Sequence, residues 1–355
     1  MVKPPFAGPF PTIGFVVSLA FLLALPVLMA KMGLKSREQM YKGVPGVFGN
    51  PAYIEGQIYD DFRNPDLLFV GSSRTTAAIQ PEKIKEFFRP RLGRDPIVAI
   101  LDQRWDGPDL EYVMLKDYLS NHQPKLIIFE APNAPTISNK PHRLLSSLVR
   151  YGEVDQYFPY ASLADRVSIY AEQVIRGPRQ LLDYLRPNVV SDDEKGELNR
   201  NRAVTERFWS TSSPGSLSSA SEPAGVPFVA VRLEHAKVKE EGKQFKPSRY
   251  FSFVLSAIST IADQRHIPIL LIDMPTQFDF GKRDDAQMID LARFFGTGTN
   301  IIAPSARDLF GELPETRVRT FYNDHLHLNY QGSQAYMQGL LPALYHEYRQ
   351  AVQRK

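Results

Sequence analysis

"LLFVGSSRTT", residues Leu67 to Thr76, runs apolar as far as a glycine and then turns to two serines, an arginine and two threonines. An apolar run bounded by polar residues reads as a fully buried strand of a parallel sheet. Ligands of such sheets collect beyond the carboxyl ends of the strands, and that is where Ser72 and Ser73 fall. A serine after a strand is also a common helix cap or turn former, so a nucleophilic Ser73 requires a base elsewhere in the chain.

Outward from this stretch the same pattern recurs. "DLLFVG" (Asp66 to Gly71), "PIVAIL" (Pro96 to Leu101), "KLIIFE" (Lys125 to Glu130), "IPILLID" (Ile267 to Asp273) and "NIIAP" (Asn300 to Pro304) are short runs rich in Ile, Leu and Val. Helical patterns separate or follow them at Pro81 to Phe88, Asp109 to Ser120, Pro247 to Gln264, Asp284 to Phe295 and Tyr330 to Val352. Alternation of this kind predicts βαβ crossovers, and hence an α/β fold whose parallel sheet is covered on both faces. One interval breaks it. Helical patterns near Ser162 to Ile175 and Arg179 to Leu185 precede "STSSPGSLSSASEPAGVP", Ser210 to Pro227, whose Ser, Gly and Pro content suits a loop. The expectation is an inserted, mostly helical subdomain over about 134–246.

The amino end carries a different signal. Thr12 to Ala30 holds 19 uncharged residues, "TIGFVVSLAFLLALPVLMA", about the length that spans a bilayer as a helix. Pro26 within it is tolerable in a membrane helix. A cleaved signal peptide is the alternative, but its apolar region is usually shorter and no A-x-A site follows, which favours an uncleaved anchor. The expected organisation is an anchor over 1–32, a membrane-proximal connector over 33–64 and one large domain over 65–355. Lys31, Lys35, Arg37 and Lys42 follow the span and only Lys3 precedes it, a bias that taken alone leaves the large domain in the cytoplasm.

Composition narrows the function. A hydrophobic fraction of 43% and a charged fraction of 23% are globular values. The net charge of +3, with no basic stripe interleaved with aromatics, gives no reason to expect nucleic acid as a partner. With no cysteine, disulfides, zinc–thiolate sites and a thiol nucleophile are excluded. The chain has no G-x-G-x-x-G, P-loop or G-x-S-x-G motif, so no nucleotide cofactor and no α/β-hydrolase elbow is expected. His325-x-His327 has no third ligand at a recognisable spacing, so no metal is expected either.

The partner that Ser73 needs stands near the other end, in "FYNDHLHLNYQG", Phe321 to Gly332. Asp324 and His327 are three positions apart just before the final helix. That spacing lets a carboxylate hold an imidazole, although Asp324 is also a candidate cap for the helix. G-x-S after the first strand, together with D-x-x-H-x-N-x-x-G before the last helix, resembles the SGNH (GDSL-type) serine hydrolase superfamily. The resemblance implies a three-layer α/β/α domain with Ser73 as nucleophile, His327 as base and Asp324 as its orienting acid. It also implies an oxyanion hole from the backbone N–H of Ser73, that of Gly107 and the amide of Asn133. Ser72 stands where the superfamily usually has aspartate, and Ala131 and Ala134 replace the glycine and aspartate around Asn133.

An amino-terminal anchor with "GSSR" is similar to the extracytoplasmic acyl-transfer branch, including alginate O-acetylation and teichoic acid D-alanylation proteins. From that follow serine-dependent acyl-ester transfer or hydrolysis on a cell-surface or exported polysaccharide, a catalytic domain outside the membrane, a bilayer contact through Thr12 to Ala30, and a membrane-bound acyltransferase as a candidate partner. The other expectation is a catalytically silent scaffold subunit of such a complex. Arg74 is read as a substrate anion binder or a structural salt bridge. Trp105 and Tyr322 are read as sugar platforms or core residues.

Overall fold

Along the first strand every side chain is buried, yet alternate residues serve opposite layers. Leu67 and Phe69 pack with Ile84, Phe88, Tyr336 and Leu340, whereas Leu68 and Val70 pack with Val113, Leu255 and Ile258. This period of two makes the apolar run a strand between two helical layers. The computed structural model describes residues 9–34, 36–42, 44, 51–103, 107–131, 140–142, 144–185, 228, 231–232, 248–277, 294–295, 299–311 and 313–354.

Within them the strands are β1 (Leu67–Ser72), β2 (Val98–Gln103), β3 (Leu126–Glu130), β4 (Val231–Arg232), β5 (Ile269–Ile272) and β6 (Asn300–Ile302). The sheet order is β2-β1-β3-β5-β6-β4. The first five strands in that order are parallel, and β4 closes the edge antiparallel to β6. The chain moves one way from β1 to β2 and the other way to β3, so the carboxyl ends of β1 and β3 flank a topological switch point, the place where doubly wound sheets bind ligands.

The helices are α1 (Pro9–Lys31), α2 (Arg37–Lys42), α3 (Pro51–Tyr59), α4 (Ser73–Ala78), α5 (Pro81–Leu92), α6 (Pro108–Asn121), α7 (Leu145–Leu148), α8 (Val154–Tyr157), α9 (Leu163–Leu185), α10 (Arg249–Asp263), α11 (Ala306–Phe310), α12 (Glu315–Val318) and α13 (Tyr330–Gln353). On one face of the sheet lie α3, α6 and α10, and on the other α5 and α13. Burying each Leu, Ile or Phe of these layers contributes about 1.5–3 kcal/mol. α5 illustrates how local signals set the ends of an element: Pro81 opens it and Gly93, with φ of 71°, closes it in the left-handed region.

Three expectations change. The segment 33–64 is more than a connector, because α2 and α3 join the core through Tyr41, Ile54 and Ile58, each at most 2% exposed. Ile54 and Ile58 are one helical turn apart and so cover one stripe, and the Tyr41 hydroxyl donates to Asp117 at 2.8 Å. The two helical patterns after Ser162 form the single helix α9, which passes through Gly177 and Pro178. A Cβ at Gly177 would come within 3.0 Å of Leu25, so the close packing of α1 on this point accompanies the continuity. The short edge strand β4 is an addition to the expected sheet. Asp284 to Phe295 falls almost wholly outside the described residues, as do Ser210 to Pro227 and most of the insertion.

α1 is 23 residues long with a mean hydropathy of 2.6 over its most apolar window, long and apolar enough to cross a membrane.

Candidate active site

β1 delivers its last residues to the switch point, and the chain turns there directly into α4. Ser72 makes the turn. Its side chain accepts from the Arg74 N–H at 3.2 Å, which caps α4, and its own proton goes to Glu130 at 2.9 Å. Glu130 ends β3, the strand beside β1, and its side chain is buried. It accepts further bonds from the Ser72 N–H at 2.7 Å and from the Thr75 hydroxyl at 2.7 Å, and the Arg74 guanidinium lies 3.6 Å away. A buried carboxylate is tolerated when it is both paired and hydrogen-bonded, and Glu130 is both.

Arg74 is therefore a structural cation. It also pairs with Asp273 at 3.2 Å and donates to the Met274 carbonyl, tying the ends of β1, β3 and β5 together. On the other side of β1, Thr76 donates to Asp102 of β2, whose carboxyl is pushed up to about 6 by burial. Gly71 is required by this crowding, since a Cβ there would lie 2.2 Å from the Thr75 hydroxyl and 2.6 Å from Glu130.

With Ser72, Arg74, Thr75 and Thr76 all committed to partners in the sheet, Ser73 is half-buried and turns toward the loop before α13. Its Oγ lies 2.7 Å from Nε2 of His327. Nδ1 of the same ring lies 2.8 Å from Oδ2 of Asp324. Asp324 Oδ1 accepts the backbone N–H of Leu326 at 2.7 Å and of His327 at 2.8 Å. Burial pushes the Asp324 carboxyl up, but these hydrogen bonds outweigh it and hold it below its ordinary range. Asp324 is thus fixed as an anion that accepts from Nδ1–H, the tautomer that leaves Nε2 free to take a proton from Ser73.

The loop carrying the pair is a tight hairpin. Tyr322 bridges to Leu328, the Asn323 N–H donates to the His327 carbonyl at 2.8 Å, and the Asn329 N–H donates to the Phe321 carbonyl at 2.9 Å. Asn329, not Asp324, caps α13, accepting from the Gly332 N–H at 3.0 Å. The capping alternative for Asp324 is therefore replaced by its role as acceptor inside the loop. α13 and α4 are joined by Ser333, whose hydroxyl donates to the Ala78 carbonyl at 2.8 Å and accepts from Gln80 at 2.8 Å. The element after the histidine is thereby bonded to the segment after the serine.

Of the other expected site residues, Gly107 precedes α6 as its N-cap, just beyond the carboxyl end of β2. Asn133 and Trp105 lie outside the described residues. Tyr322 is a core residue, 7% exposed, with its hydroxyl on the Pro275 carbonyl at 2.8 Å. Sequence reasoning missed Glu130. The available signal was a carboxylate closing the strand run "KLIIFE", at the edge where the ligands of parallel sheets collect. No protein-family model matches the chain, and no curated protein matches it.

Proposed function

We propose that the protein is an SGNH-type serine esterase or O-acyltransferase that works through an acyl-Ser73 intermediate. The observation that carries this is the continuous chain from Ser73 Oγ to His327 Nε2 and from His327 Nδ1 to Asp324, at 2.7 and 2.8 Å. Serine attack on an ester needs a base within hydrogen-bond reach and a group that orients the base, and both are met. Ser73 Oγ adds to the ester carbonyl as its proton passes to His327, forming a tetrahedral oxyanion. His327 then returns that proton to the departing alcohol, leaving the acyl group on Ser73. A water or a sugar hydroxyl, deprotonated by the same imidazole, releases it. The Ser73 and Gly107 N–H groups and the Asn133 amide are the proposed oxyanion donors, each worth about 3–4 kcal/mol in such a site.

The acceptor class rests on the resemblance: a cell-surface or exported polysaccharide, with a membrane-bound acyltransferase as a candidate donor. α1 is proposed as the membrane anchor, with the large domain extracytoplasmic despite the basic residues after the span, because long domains translocate largely regardless of flanking charge. The replacement of aspartate by Ser72 raises the alternative of a silent scaffold subunit. Ser72 has another use here, since its hydroxyl both caps α4 and anchors Glu130.

The test is acetate release from an activated acetyl ester by the full chain in detergent, with a reporter that works only outside the cytoplasm fused after Lys355. Release that disappears in Ser73→Ala, and an active reporter, are expected. Equal release by the wild type and the variant would end the enzyme proposal, and a silent reporter would end the topology.

A further inference from the structure

α9 turns an apolar stripe outward. Its outward residues Leu163, Val167, Ile175 and Leu182 are 78, 58, 75 and 54% exposed, and they recur at whole helical turns. Its inward face is mixed: Ile169 and Gly177 are buried there beside polar groups, of which Gln173 donates to the Val149 carbonyl at 2.7 Å, Arg176 donates to Ser147 and pairs with Glu172 at 3.3 Å, and Tyr170 donates to the Leu23 carbonyl. A helix on the surface of a water-soluble domain turns its apolar stripe to the core instead.

The neighbour of α9 explains the exposed stripe. Its Tyr170 and Gly177 sit on Leu23 and Leu25 of α1. The stretch of α1 in which every residue is exposed is 9–23, only about 22 Å at 1.5 Å per residue. The hydrocarbon core of a bilayer is about 30 Å thick. A bilayer spanned by α1 therefore reaches the level of Leu25 to Ala30, where α9 is packed. Tyr151, half exposed and stacked edge-on to Tyr170 at 5.3 Å, lies at the same level, a position suited to an aromatic anchor at the membrane interface.

We infer that α9 is a second membrane-contacting element, its outward face immersed in the headgroup–acyl boundary of the bilayer that α1 crosses. The inference rests on α1 being a span. Lipid is the occupant because α9 packs on α1 at Leu23 and Leu25, the level that a bilayer crossed by α1 must reach. Two contacts, one spanning and one lying in the interface, fix the orientation of the domain relative to the membrane, where a single helix would leave it free to swivel.

The absence of cysteine makes the test clean. Val167→Cys and Ile175→Cys, each nitroxide-labelled in the full chain, are reconstituted into phosphatidylcholine vesicles containing a minority of phosphatidylglycerol. Val17→Cys in α1 and Glu82→Cys in α5 serve as references. Spin relaxation is measured with oxygen, which concentrates in lipid, and with a water-soluble nickel chelate. Positions 167 and 175 are expected to collide with oxygen far more than with the chelate, as position 17 does and position 82 does not. Chelate-dominated collision at 167 and 175, with 17 still lipid-like, would overturn the interfacial helix alone. Protection from both reagents would show that protein, either the rest of this chain or a second copy, covers the face, and would overturn it too. A water-like position 17 would remove the span and the inference together.

Discussion

Ser72, Arg74 and Thr75, which surround Ser73, are at most 7% exposed, and their partners Glu130 and Asp273 lie 55 to 199 residues away in sequence. Asp324, which holds His327, has a side chain 49% exposed and lies three residues from its partner. One half of the site is thus clamped by a buried ionic network at the sheet edge, and the other is a local turn held by its own backbone. The difference separates two kinds of dependence. The serine half is coupled to global stability, because breaking a buried network leaves charges unpaired. The histidine half can lose its chemistry and keep its fold, because water is available to whatever the change leaves unpaired.

The largest expected effect is on the exposed side and on turnover alone. Asp324→Asn keeps an acceptor for the Leu326 and His327 N–H groups but changes the partner offered to Nδ1, favouring the wrong tautomer. The equivalent aspartate-to-asparagine change in the triad of a serine protease lowers kcat by about 10⁴. Acetate release should fall by orders of magnitude while the thermal midpoint stays near that of the wild type. A large drop in the midpoint would show that the loop, too, is coupled to the core.

Glu130→Ala tests the buried side and should act first on stability. It leaves the Ser72 N–H and the Thr75 hydroxyl without their acceptor and removes one of the two carboxylates that face Arg74, against a cost of about 3–5 kcal/mol for a broken buried pair. Asp273 still faces Arg74 at 3.2 Å, which places the expectation toward the lower end. Urea unfolding measures it. A loss under about 1 kcal/mol, the scale of an exposed pair, would show that the network is not what holds the turn.

The smallest effect concerns the other carboxylate beside β1. The Asp102 carboxyl is raised to about 6 from an ordinary value of 3.8, so the fold favours its neutral form. Its ionisation therefore lowers stability as pH rises from the unfolded value to the folded one, and the penalty is constant above that. Asp102→Asn should be neutral near pH 4 and more stable than the wild type above about pH 6, by at most about 3 kcal/mol. Urea midpoints at the two pH values check the sign, and a variant less stable at neutral pH would reverse it.

The same division explains how much could be read from the chain. β1, β2, β3, β5 and β6 were legible because burial on both faces demands unbroken Ile, Leu and Val, and each lies within about two residues of its expected ends. Asp324 and His327 were legible because their geometry is local, and a spacing of three in a turn suffices. Glu130 was not, because its partners are assembled by strand adjacency, which no short window contains. Nor were α2 and α3 recognisable as core elements: at 6 and 9 residues they are too short to show a helical period, and only the packing of Tyr41, Ile54 and Ile58 shows which layer they complete. The outward turn of the α9 stripe was equally hidden, since the stripe is visible in sequence but the side facing α1 is not.

The most direct measurement of the central claim is the intact mass of the full chain after brief exposure to an activated acetyl ester, followed by peptide mapping. One acetyl group on Ser73, formed rapidly by the wild type and orders of magnitude more slowly by Asp324→Asn, is the predicted result. No adduct on Ser73 at any time, from a protein whose unfolding midpoint shows it to be folded, would contradict it.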